Sequence, residues 1–112
     1  MTLQVTVRAV RYEVSILTPD DTRDWYAWSL YVEDRGDDWW AISLGGQLVL
    51  GKNDDWGYES SDNRSDPEWR ENFRYTYKEA MTAAMAFAPV YKVNGKTAAD
   101  IRQLRTEQGE PL

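Results

Sequence analysis

The stretch WYAWSLYVEDRGDDWWAISL, residues 25–44, sets four tryptophans and two tyrosines on either side of an acidic turn, and it restricts the possible folds more than any other feature. Residues two apart share one face of an extended strand, whereas a helix brings together residues three or four apart. Here Tyr26, Trp28, Leu30 and Val32 fall on one face, and Trp25, Ala27, Ser29, Tyr31 and Glu33 on the other. The following segment repeats the pattern, with Trp40, Ile42 and Leu44 set against Trp39, Ala41 and Ser43. Gly36, in the intervening EDRGDD, suits a left-handed turn position, so the two segments are predicted to pair as an antiparallel hairpin.

The flanking sequence extends the hairpin into a meander. Leu3 to Leu17 alternates well enough for a strand, with a kink or bulge expected near Ala9–Arg11 where the phase slips. The segment TPDDTRD that follows has loop chemistry. Gly45–Gly46 reverses the chain into QLVLG, and KNDD reverses it again before Trp56, Gly57 and Tyr58. A polar segment, residues 59–68, leads to a short helix at Pro67 with Ser65 or Asp66 as cap. In TYKEAMTAAMAFAP, Thr76 and Glu79 make a capping box and Pro89 stops the helix, with Tyr77, Met81, Ala84, Met85 and Ala88 as its expected buried stripe. Val90–Val93 reads as a short strand and Asn94–Gly95 as a turn, after which Thr97 caps a helix reaching about Thr106. The fold class expected is α+β: an antiparallel meander of four to five strands, packed on one face by the helix at 77–88, with a second short helix near the C-terminus. Residues 1–112 are read as one domain, a length that suits one hydrophobic core.

Composition closes off many activities. The chain has no cysteine and no histidine, so disulfides, thiolate chemistry, histidine-centred triads and the usual zinc ligands are all excluded. No window approaches the 18 or so apolar residues of a membrane span, and the N-terminal residues alternate instead of forming a signal-peptide block. The expectation is a cytoplasmic protein with no membrane association. The net charge of −6 is unevenly spread: residues 20–71 hold 14 acids against 5 bases, and the remainder 5 acids against 8 bases. One acidic face is expected, repelling nucleic acid and steering toward basic partners.

Three acidic pairs, Asp20–Asp21, Asp37–Asp38 and Asp54–Asp55, each fall at a predicted loop, where aspartate is common because its side chain bonds to nearby backbone. Trp28 and Trp40 share the face of Leu30, Val32, Ile42 and Leu44 and are read as core. Trp25, Tyr31 and Trp39 lie on the opposite face among Ala and Ser. Together with Asp37, Asp38, Asp54 and Asp55 they form the candidate partner-binding surface, and the other reading of these aromatics is a hairpin ladder or a second covered layer. No catalytic residue, metal ligand or cofactor is assigned. KNDDWG fails as a calcium loop, because counting back from Gly57 puts Lys52 at the first ligand position and Trp56 at the fifth. VNGKT lacks the upstream glycine of a phosphate-binding loop, with Val90 in its place.

The run YEVSIL, WSLYVEDRGDDWWAI, WGYES, EWRENFRYTYKEAMTAAMAFAP and VNGKTA, covering roughly residues 12–99, resembles a group of small acidic proteins of actinobacteria and their phages. The resemblance implies one α+β unit in such a setting and carries no catalytic or binding residue over. The functional expectation is a non-enzymatic binding protein, by class analogy phage-encoded, that associates with a basic patch on a host protein through its acidic loops and aromatic face. The alternatives are a small-ligand binder using an aromatic and acidic pocket, or a structural component that pairs with itself as a homo-oligomer.

Overall fold

The computed structural model describes residues 2–108 and contains five strands in the sheet order β1-β2-β3-β4-β5, every neighbour antiparallel. The strands are β1 (Arg11–Val14), β2 (Leu30–Asp34), β3 (Trp40–Ser43), β4 (Leu48–Leu50) and β5 (Trp56–Tyr58). Three helices follow: α1 (Pro67–Phe73), α2 (Tyr77–Phe87) and α3 (Ala98–Gln108). The expected α+β class and antiparallel meander are present. The helix after Pro67 is capped by Asp66, whose side chain accepts from the Glu68 N–H.

Register follows from the alternation. Tyr12 faces Val32, Val32 faces Ile42, and Leu50 faces Trp56 across the ladders. Leu30, Val32, Ile42 and Leu50 are therefore buried together under α2. The capping box at the start of α2 is complete, with Thr76 Oγ1 accepting from Glu79 N–H and the Glu79 carboxylate accepting from Thr76 N–H. Of the expected stripe, Ala84 and Ala88 are buried and Met81 packs against the core, whereas Tyr77 and Met85 are 41% and 63% exposed and Ala80 takes the remaining buried place. Alanine at these positions lets the helix axis come close to the sheet, and Met81 and Phe87 fill the flanks.

Two segments depart from the sequence reading. Trp25–Trp28 forms a 3₁₀ turn instead of the start of β2, so Trp25 and Trp28 are not on the sheet. The alternation in WYAW is only four residues long, too short to separate a strand from a tight helical turn, and the backbone closes locally through Ala27 N–H to Asp24 O and Ser29 N–H to Tyr26 O. Trp28 packs outside the core, its indole donating to Lys96 O at 2.9 Å. At the other end of β1 the ladder begins only at Arg11, and residues 2–10 form neither strand nor helix and are exposed. The short strand expected at Val90–Val93 shrinks to a bridge between Val93 and Lys96, closed by left-handed Asn94 and Gly95.

Candidate functional site

The second face of the sheet carries Arg11, Glu13, Tyr31, Glu33, Ala41, Ser43, Val49 and Gly57, by register. α1 closes one end of this face, with Phe73 lying directly over Gly57 where a Cβ would collide with the ring. Trp69 stacks on Phe73 at a centroid distance of 4.7 Å. The rest of the face is covered by ion pairs. Tyr31 lies beneath the Arg11 guanidinium, 4.0 Å from ring centroid to Cζ, and its hydroxyl donates to Glu13. Ser43 donates to Glu33, and Arg11 and Arg35 both stand 3.8 Å from that carboxylate.

The densest point of this network is Glu59, which is buried. Arg35 Nε and Arg64 Nε each lie 3.3 Å from its Oε2, and Arg74 Nη1 lies 2.8 Å from Oε1. The Arg74 contact is close but poorly aligned, so it pairs charge with charge without a directed hydrogen bond. Burial pushes the Arg74 guanidinium below its ordinary value; Glu59 opposes this, while neighbouring Arg35 and Arg70 act in the same direction as burial.

Above this network opens a cleft of about 320 Å³, lined by Arg35, Arg64, Arg70 and Arg74 together with Asp37, Trp39 and the loop serines Ser61 and Ser65. A second cleft of about 370 Å³, lined by Lys52, Pro67 and Glu71, shares Trp39, Arg70 and Arg74 with the first. Trp39 thus stands between two basic hollows, its side chain partly open to solvent.

Local backbone geometry fixes that position. The turn between β2 and β3 is closed by Arg35 N–H donating to Trp39 O at 2.8 Å and Trp39 N–H to Gly36 O at 2.9 Å. Gly36, Asp37 and Asp38 all take left-handed conformations, with φ of 88°, 53° and 64°. Aspartate tolerates this region better than most residues. The Asp34 carboxyl is held below the ordinary aspartate range by the Gly36 N–H, with Arg8 adding to the effect. In the turn between β4 and β5, Asp54 is likewise left-handed at φ 65°. Both turns close the same end of the sheet, so Asp37, Asp38, Asp54 and Asp55 are exposed at one end, as the meander requires.

The expected aromatic face is not assembled. Only Trp39 belongs to the cleft: Tyr31 is covered by Arg11 within the sheet, and Trp25 sits in the 3₁₀ turn at the opposite end of the sheet. Asp21 is engaged in structure, accepting from Arg102 Nε at 3.1 Å and Arg102 Nη2 at 3.0 Å, which anchors α3. Within the acidic stretch of the chain a basic cleft is also formed. Three of the five bases in residues 20–71, namely Arg35, Arg64 and Arg70, converge on the cleft with Arg74. The sequence signal for this was the spacing of Arg70 and Arg74, four apart at the end of a short helix and so on one face. Among the described residues no group of three or more acidic side chains is gathered to hold a metal ion. No helix among the described residues is long and apolar enough to cross a membrane. Comparison with protein-family models, curated proteins and solved structures finds nothing that matches this chain.

Proposed function

We propose that the protein is a binding module whose cleft beside Trp39 takes an anionic group, a phosphate monoester or a carboxylate carried on a planar ring. The observation that carries this reading is the charge inside the cleft: four arginines line it against the single carboxylate of Asp37, with Glu59 beneath, in a chain of net charge −6. A planar guanidinium matches phosphate and carboxylate oxygens two at a time, and a half-exposed indole offers a ring to stack on. The hollow of about 320 Å³ is within the range of small-ligand sites, which begins at about 300 Å³. Asp37, also in the lining, is placed to accept from a hydroxyl or amine on the ligand, which gives the site a polarity.

Arg70 is the diagnostic residue, because it lines both clefts and makes no ion pair among the described residues. Calorimetric titration with inorganic phosphate, pyrophosphate and phenyl phosphate is expected to show saturable binding. Arg70→Gln should weaken all three by about tenfold or more with little change in the unfolding midpoint. Trp39→Leu should weaken phenyl phosphate selectively. Absence of heat for every anion up to millimolar concentrations would overturn the reading.

A second reading keeps the same end of the molecule. The exposed acids Asp37, Asp38, Asp54 and Asp55 surround that end and favour a protein partner with a basic patch, whose capture would weaken as salt screens the surface charges.

A further inference from the structure

Residues 2–10, TLQVTVRAV, leave the body of the protein as an arm without turn or bend, and they expose Leu3, Val5 and Val7 at 84%, 89% and 92%. The composition is that of a strand: apolar and polar residues alternate, and three of the nine are valine and two threonine. The arm continues β1 in register with β2 for one more step, since Asp34 N–H donates to Val10 O at 2.9 Å and Arg8 pairs with the Asp34 carboxylate. There β2 ends and the chain turns away at Arg35, so among the described residues no strand of the same chain lies beside residues 2–7.

β1 is also an outer strand of the sheet. With Val10 bonded inward to Asp34, the alternation of an antiparallel ladder directs the peptide groups of Arg11 and Glu13 outward, away from β2. The arm and β1 therefore form one continuous open edge. Nine residues of strand span about 30 Å. Proteins commonly block such an edge with charge, proline or a bulge, and residues 2–7 contain no charge, proline or glycine.

We propose that this edge is an interface between two copies of the chain, the arm of each pairing antiparallel along the arm and β1 of the other about a two-fold axis. A second copy fits better than a foreign strand because the edge is self-complementary in two respects. Antiparallel pairing of identical alternating segments brings the Leu3, Val5 and Val7 rows onto a common face. The charges present do not oppose it: Arg8 is neutralised within its own chain by Asp34, and β1 contributes one residue of each sign, Arg11 and Glu13, although the whole chain is strongly acidic.

The test is the mass of the full chain by sedimentation equilibrium over a range of concentrations, with amide exchange recorded for residues 3–9. A dimer in which these amides exchange slowly is expected. Val5→Lys and Val5→Pro, placed outside the folded body and so leaving the unfolding midpoint of the dilute monomer unchanged, should each raise the dissociation constant by about tenfold or more. A monomer at all concentrations overturns the proposal, and so does a dimer whose dissociation constant neither variant alters.

Discussion

Replacing the Glu59 carboxylate by an amide leaves three arginines around a neutral group, and Arg74, buried beside it, then has no counter-charge at contact distance. Breaking a buried pair from one side costs about 3–5 kcal/mol, because the remaining charge stays desolvated. Glu59→Gln is therefore expected to lower unfolding stability by about 3 kcal/mol in a urea titration. Added sulfate should restore part of the loss, since an anion in the cleft takes over the neutralisation. At this scale the apolar residues were legible and the ion network was not. Leu30, Val32 and Ile42 declare their burial by type and spacing, whereas Glu59 and Arg74 are 15 residues apart and look like ordinary surface charges until the fold joins them. Trp25 misled for the opposite reason: its type and parity suited a strand, and local backbone bonds in the 3₁₀ turn decided otherwise.

Helix α2 shows how an element's outline can be fully readable while its contact face is readable only in part. Its cap, its limits and its place over the sheet follow from Thr76, Glu79 and Pro89 in the sequence. Ala84 and Ala88 of the stripe were readable too, but the exposure of Met85 and the burial of Ala80 follow from how the helix sits on β2 and β3. Ala84→Leu is expected to destabilise by about 1–3 kcal/mol through overpacking. Met85→Lys, at a position 63% exposed, should change stability by no more than about 0.5 kcal/mol, and equilibrium unfolding separates the two. The meander itself was legible because its turns carry the residues that left-handed geometry demands, Gly36 and Gly45 among them. The N-terminal arm has a strand pattern without a strand partner in its own chain, and alternation by itself cannot reveal where the partner lies.

For the molecule as a whole, the pattern of shifted groups sets the pH range of stability. Asp21 is held below the ordinary 3.8, first by its Arg102 hydrogen bond. Asp34 is held below it by the Gly36 N–H and Asp100 by the Thr97 N–H, while the Thr76 N–H holds Glu79 below 4.5. Depressed carboxyls add stability above their ordinary values and lose it as pH falls through the lower folded values. Tyr75 has the reverse sign: burial raises its phenol from 10.0 to about 12, and its hydroxyl donates to Leu50 O at 3.0 Å. Its contribution is complete below pH 10.0 and lost between there and about 12. With no histidine in the chain, the unfolding midpoint should stay nearly level from about pH 5 to 8, falling on the acid side below about 4 and on the alkaline side above about 10. Tyr75→Phe should shorten the alkaline limb, to which Tyr77 and Tyr91, also raised by burial, contribute, and a scan of urea midpoints against pH reads both limbs.

The strand order bears on how quickly this chain finds its fold. Each strand pairs with its neighbour in sequence, and from β2 to β5 the connections are short, so their closure entropy is small; only β1 joins across a longer segment, residues 15–29. Among the described backbone pairings, the widest in sequence is the bridge of Trp40 to Tyr75, which joins the sheet to the segment leading into α2. The Trp40–Tyr75 pairing therefore carries the largest loop-closure cost of the backbone contacts, and it is the contact expected to form last in refolding.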